Sequence, residues 1–211
     1  MANRVITLTG KDHPGRGTKE RVLDTALGLF NARGTRAVST NHIAKALNIS
    51  PGNLYYHYRN KEDIVRALFE RLSDEWHTLY TLPEDRAPTL TDLDGMLRGH
   101  FQALWRYRFF YREMVALAQR DPGLRARYRR ERGRGYKNFV RLVNAFVRGG
   151  VLRMPDGPGA ITELAHGCWV VAEFWLPFAE LGGARIGQRR LEEGVRVLRR
   201  ILQPYVRGAS R

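Results

Sequence analysis

The sequence predicts an all-α protein in which an N-terminal three-helix helix-turn-helix domain precedes a larger C-terminal helical domain. The first observation behind this is periodicity. After residue 18 almost every stretch repeats apolar residues at helical spacing, and no run alternates polar and apolar between turn residues. The second is punctuation, because capping residues, prolines and glycines divide the periodic stretches at helix lengths. The third is a pair of short helices joined by a three- to four-residue turn and preceded by a helix of small and branched apolar residues.

Residues 1–17 hold Gly10, Pro14, Gly15 and Gly17 beside Lys11 and Arg16 without an apolar period, and are expected to form a flexible basic arm. Thr18 is expected to cap the first helix, whose inward residues are Leu23, Ala26, Leu27 and Phe30 and which Gly34 stops. Ser39 or Thr40 opens a second helix with Ile43, Ala44 and Leu47 inward. Asn48 follows where a left-handed residue ends a helix. Ser50 caps a third helix with Pro51 at its first position, where a missing N–H does no harm. Asn60 caps a long fourth helix that buries Ile64, Val65, Leu68, Phe69, Leu72 and Trp76. The segment 81–89 contains Pro83 and Pro88 and reads as a connector. Helices are then expected at 89–107, 110–119, 121–148, 160–181 and 188–206, with Gly149-Gly150 and the loop 154–159 as stops. The expected organisation is an arm at 1–17, a helix-turn-helix domain at 18–62 and a helical domain at 63–211.

Composition narrows the function. The 211 residues carry a formal net charge of +15, which points to a polyanionic partner, with nucleic acid ahead of membrane or acidic protein. Cys168 is the single cysteine, so no intrachain disulfide forms and a reducing, cytoplasmic setting is expected. There is no run of roughly 20 apolar residues and no signal-peptide core, so no membrane partner is expected. Nucleophile elbow, phosphate loop and paired metal ligands are absent as well; no catalytic residue, cofactor or metal is expected.

The third helix is too small to bury its aromatics. Helical spacing sets Leu54 and Tyr58 on one face, while Pro51, Gly52, Tyr55 and Tyr56 project elsewhere beside Asn53, His57, Arg59 and Lys61. Polar-tipped rings exposed on such a helix suit a phosphate backbone and base edges.

The run from Thr18 to Leu72 closely resembles the DNA-binding domain of the TetR family of bacterial transcriptional repressors. The resemblance rests on "A..LF...G" in the first helix, Thr40 with "IA" in the second, "SPGNLYYHY" in the third and "NKED" opening the fourth. It implies that Thr40 and Tyr55 bind phosphates through their hydroxyls, that Tyr56 and His57 face the backbone, and that Lys61 adds charge at a helix N-terminus. It also sets Asn41, Pro51, Gly52 and Asn53 where the family reads bases, and of these Asn41 and Asn53 carry hydrogen-bonding side chains.

For the C-terminal domain the resemblance implies a homodimer and a pocket among the middle helices. Leu191, Val195, Leu198 and Leu202 form a seam that, with Trp175 on the preceding helix, is expected to pair with its symmetry mate. Trp105 and Phe109 are the expected apolar walls, with Trp169 on the later helix and Arg108, Arg112 or His166 meeting an anionic end. The expected partners are therefore double-stranded DNA with a palindromic operator, a second copy of the chain, and a small apolar or amphipathic ligand. The resulting expectation is a repressor released by its ligand; the alternative is a nucleoid-organising or division-control DNA binder without one. The Arg-rich stretch 120–141 reads either as a solvated face or as a site for a phosphate-bearing ligand or flanking DNA.

Overall fold

A computed structural model describes residues 17–183 and 187–208. The expected basic arm lies, apart from Gly17, outside the described residues. Among those residues the order is α1 (Thr18–Arg33), α2 (Thr40–Leu47), α3 (Pro51–His57), α4 (Lys61–Leu79), α5 (Leu90–Arg106), α6 (Arg108–Arg120), α7 (Pro122–Arg148), α8 (Ala160–Leu181) and α9 (Gln188–Leu202). A 3-10 turn at Gln203–Tyr205 follows, and the one extended pairing among the described residues is an isolated bridge between Leu152 and Val206. The fold is all-α. The chain divides into two compact units within α4, one ending at Leu68 and the other beginning at Phe69.

Local chemistry sets the boundaries of the first unit. Thr18 is already helical and Gly17 stands at the N-cap without a side-chain bond, so the expected Thr18 cap is not formed. Ser39 and His42 instead exchange bonds at the start of α2: the Ser39 hydroxyl accepts from the His42 N–H, and His42 Nδ1 accepts from the Ser39 N–H. Asn48 ends α2 in the left-handed region at φ 55°, which a short polar side chain tolerates best after glycine. Ser50 caps α3 by accepting from the Asn53 N–H at 3.2 Å. Asn60 Oδ1 accepts from the Asp63 N–H at 2.8 Å at the start of α4. The unit's core is Val22, Ala26, Leu27 and Phe30 of α1, Ile43 and Ala44 of α2, Leu54 and Tyr58 around α3, and Ile64, Val65 and Leu68 of α4. Each such aliphatic or aromatic side chain contributes about 1.5–3 kcal/mol by leaving water.

In the second unit α9 packs on both α5 and α8, and α6 on both α7 and α8. Leu191, Val195, Leu198 and Leu202 are all buried inside the chain. The α9 seam thus finds its partner helices within one subunit, which overturns the expectation that it supplies the dimer face. Gly194 explains how closely the helices meet, because a Cβ there would fall within 2.9 Å of Trp175 and also strike Phe101. Trp175 is held internally too, its Nε1 donating to the Arg190 carbonyl at 2.8 Å. Gly135 does the same for α7 and α8, since a Cβ at that position would come within 3.2 Å of the Trp169 ring. Among the described residues no helix is long and apolar enough to cross a membrane.

Candidate nucleic-acid interface and internal cavity

α3 divides into two faces. Leu54 and the adjoining Tyr58 turn into the first unit at 0% and 5% exposure, whereas Tyr55 and Tyr56 are 47% and 86% exposed. Pro51, Gly52 and Asn53 are also exposed, as is Asn41 on α2, and His57 is half-buried with its ring edge-on to Tyr56 at 5.1 Å. Exposing two large rings beside buried neighbours costs hydrophobic free energy that a partner surface returns. The Thr40 and Tyr55 hydroxyls lie 3.1 Å apart, so the first turn of α2 and the middle of α3 present their oxygens together. Paired hydroxyls on adjoining helices are donors suited to one phosphate.

Lys61 opens α4 as expected and is also engaged locally. Its Nζ donates to the Thr35 carbonyl at 2.7 Å and to the Val38 carbonyl at 3.1 Å, in a part-buried position. Thr35 and Val38 precede α2 and are themselves buried. The ammonium commits two of its three donors to that turn.

A cavity of about 570 Å³ lies in the second unit. Its walls come from α4, α5, α7, α8 and α9, among them Trp76, His100, Tyr128, Cys168, Trp169 and Glu173. Of the six residues expected to form a pocket, Trp169 lines this cavity and five do not. Phe109 is core, 1% exposed. Trp105 is covered by the Arg108 guanidinium at 4.5 Å, a cation–π pair that occupies both side chains. Arg112 forms an ion pair with Glu180, and His166 is exposed. The physical reason is rotation: α6 turns its rings onto the interior, where Phe110 stacks on Phe69 at 5.0 Å, away from the cavity.

The cavity's polar groups were not singled out in the sequence. His100 is buried, with Nε2 3.4 Å from the Ala172 carbonyl and Nδ1 2.8 Å from the Tyr80 hydroxyl. A carbonyl only accepts, so Nε2 carries the proton and Nδ1 accepts from Tyr80. Burial drives the His100 pKa down to about 4, and the ring is neutral at pH 7. Burial likewise pushes the Cys168 thiol up to about 12, which leaves it unreactive. Glu173 is raised by burial and partly offset by Tyr128 and Arg132. The Tyr128 hydroxyl is engaged with Glu173 and Arg132, and the Trp76 indole with the Tyr111 hydroxyl. A signal was present: His100 sits in the apolar row Met96, His100, Leu104, and Glu173 interrupts the otherwise apolar middle of α8.

Outside the cavity, α8 carries an apolar stripe of Val170, Phe174, Phe178 and Leu181, exposed by 58%, 43%, 71% and 90%. Their spacing of four, four and three places them along one helix face. No group of three or more His, Cys, Asp or Glu suited to a metal ion occurs among the described residues.

Comparison with known proteins covers both units. A model described as "Bacterial regulatory proteins, tetR family" matches residues 22–68, and one described as "Bacterial transcriptional repressor" matches residues 71–211. The biofilm-operon negative regulator IcaR of Staphylococcus epidermidis is 40% identical over 52 residues, 25% of this chain and 28% of that protein. The transcriptional repressor KstR2 of Mycobacterium tuberculosis is 25% identical over 180 residues, 81% of this chain and 87% of that protein. A crystal structure of a transcriptional regulator from Marinobacter aquaeolei VT8 superposes with a TM-score of 0.82 at 33% identity, covering 92% of this chain and 93% of that one.

Proposed function

The chain belongs to the TetR family of bacterial transcriptional regulators, and from this we propose a dimeric, sequence-specific repressor released from a palindromic operator by a small amphipathic ligand. The observation that carries the DNA-binding part is the division of α3, with Leu54 and the adjoining Tyr58 buried while Tyr55 and Tyr56 of the same seven-residue helix are exposed. In this reading Thr40, Tyr55, Tyr56 and His57 meet the backbone of double-stranded DNA, while Asn41, Pro51, Gly52 and Asn53 approach base edges. Lys61 contributes its remaining N–H and, more importantly, the fixed turn before α2.

One seven-residue helix makes too few base contacts for useful discrimination. A C2 dimer supplies two half-sites about 34–36 Å apart, or a multiple of that, which is why a palindrome is expected. The α8 stripe of Val170, Phe174, Phe178 and Leu181 supports an isologous contact, because it is the same apolar patch on both copies.

The cavity supports ligand control over the alternative of a DNA organiser without an effector, since side chains leave about 570 Å³ open within the second unit. To release DNA, the ligand must bind better to a dimer whose recognition helices no longer match the groove spacing. No catalytic step is assigned to the protein, and it acts at the chromosome in the cytoplasm. Genomic footprinting in the native bacterium tests the whole reading. The expected result is a small set of palindromic sites whose occupancy falls under specific metabolites; uniform occupancy without a shared motif overturns it.

A further inference from the structure

The Arg-rich stretch that the family reading leaves unassigned becomes ordered once α7 is seen as a helix. Arg130, Arg134, Lys137 and Arg141 follow one another at spacings of four, three and four, so they form a row on one flank of α7. All four are exposed. Arg134, Lys137 and Arg141 also line the cavity. Arg134 is balanced by Glu131 at 2.8 Å, and Arg141 donates to the neutral Asn138. Glu131 in turn is shared with His77 at 3.1 Å, so the cavity's edge on this flank keeps a surplus of positive charge.

The other flank differs. There Arg132 is coupled to Glu173 and Tyr128, and the carboxylate of Glu173 disfavours a second anion deep inside. The interior offers mainly apolar walls, and its polar groups are engaged with one another, the Trp76 indole with Tyr111 and the Tyr128 hydroxyl with Glu173 and Arg132.

From this juxtaposition we infer that the cavity takes an acyl thioester of a phosphorylated nucleotide carrier, of the acyl-CoA class. The acyl chain lies among the apolar walls, and the phosphates run along Arg130, Arg134, Lys137 and Arg141. The row sets the kind of head. At 1.5 Å rise per residue, the cations from Arg130 to Arg141 extend over roughly 16 Å of helix, far more than one carboxylate can engage. An extended head with several phosphates matches that length and charge, and Arg suits phosphate in particular. The inference rests on the reading of the cavity as an effector site, and names its ligand class.

The test uses the full-length protein and the fluorescence of the cavity residues Trp76 and Trp169, titrated with dodecanoyl-CoA, dodecanoate, dodecanol and CoA. The thioester is expected to bind at least about tenfold tighter than dodecanoate, an advantage that shrinks with salt. In the variant R134Q/K137Q/R141Q, whose changes are all on exposed positions, this advantage disappears while dodecanol binding is unchanged. If dodecanol and dodecanoate enter but the thioester gains nothing, the headgroup assignment falls and the cavity stands. If none of the three twelve-carbon probes binds, the effector reading of the cavity falls with it. A triple variant that instead lowers the salt dependence of ligand-free operator binding assigns the row to DNA and overturns the inference.

Discussion

The Thr40 and Tyr55 hydroxyls stand 3.1 Å apart, fifteen residues distant in sequence, and couple the opening of α2 to the centre of α3. The bond holds a half-exposed ring at a defined angle on a helix of only seven residues. Tyr55→Phe keeps the ring and removes the oxygen. DNA affinity is expected to drop by about 1–2 kcal/mol on operator and random sequence alike, since backbone contacts carry no sequence information. The slope of log affinity against log salt stays unchanged because no cation is lost. Wild-type affinity for Tyr55→Phe in a filter-binding or anisotropy titration would show that the hydroxyl faces no phosphate.

Asn53 is exposed on α3 and carries a side chain able to read a base edge. Asn53→Ala is expected to cost about 1–3 kcal/mol on the operator and to flatten preference at one position, with little effect on random DNA. Equal losses on both would mean that Asn53 also contacts only the backbone.

Lys61 donates to the Thr35 and Val38 carbonyls, and removing its ammonium leaves two acceptors of a largely buried turn without their donor. Lys61→Met keeps the alkyl stem. It is expected to lower stability by about 1–3 kcal/mol in thermal or urea unfolding, with a smaller effect on the salt slope of DNA binding than the loss of one full phosphate contact. A variant of unchanged stability whose salt slope drops by about one unit would restore Lys61 to a purely phosphate-binding role.

His100 gives a pH dependence of known sign. Its folded pKa is about 4 against an ordinary value of 6.5, so the unfolded chain binds the proton first as pH falls. Its contribution is therefore complete above pH 6.5 and is lost progressively between pH 6.5 and 4, by about 3 kcal/mol in all. Urea unfolding at pH 7 and at pH 4.5 measures this, and His100→Gln should remove most of that part of the slope. An unchanged slope in the variant would place the pH sensitivity elsewhere.

Phe178 is 71% exposed in the middle of the α8 stripe, so a charge there leaves the interior of the subunit intact. Phe178→Glu is expected to give a folded monomer that loses affinity for the palindromic site, because like charges would meet across the symmetry axis. Sedimentation equilibrium and circular dichroism together decide it: a helical protein that remains dimeric would move the interface off α8.

Much of the first unit was legible because its determinants are local. Asn48 in the left-handed region, Ser50 as a cap and the burial of Leu54 and Tyr58 all follow from backbone dihedrals, one hydrogen bond and helical spacing over a few residues. Thr18 shows the limit even there, since a helix beginning one residue early makes the same threonine an interior position.

The second unit was legible as helices but not as partners. The spacing of Leu191, Val195, Leu198 and Leu202 states that α9 has an apolar seam, and is silent on whether the opposing helix belongs to the same chain. Gly194 and its closeness to Phe101 and Trp175 decide that, a contact across nearly a hundred residues. The same holds for the rings: Phe109 and Trp105 look as fit for a pocket as Trp76 and Tyr128 until helix rotation turns the former pair away from the cavity. The sequence by itself determined the helices and the division of α3 into a buried and an exposed face, through short-range geometry. Tertiary structure alone decided which apolar surfaces met within the chain, because burial is non-directional and any seam of the right width can fill it.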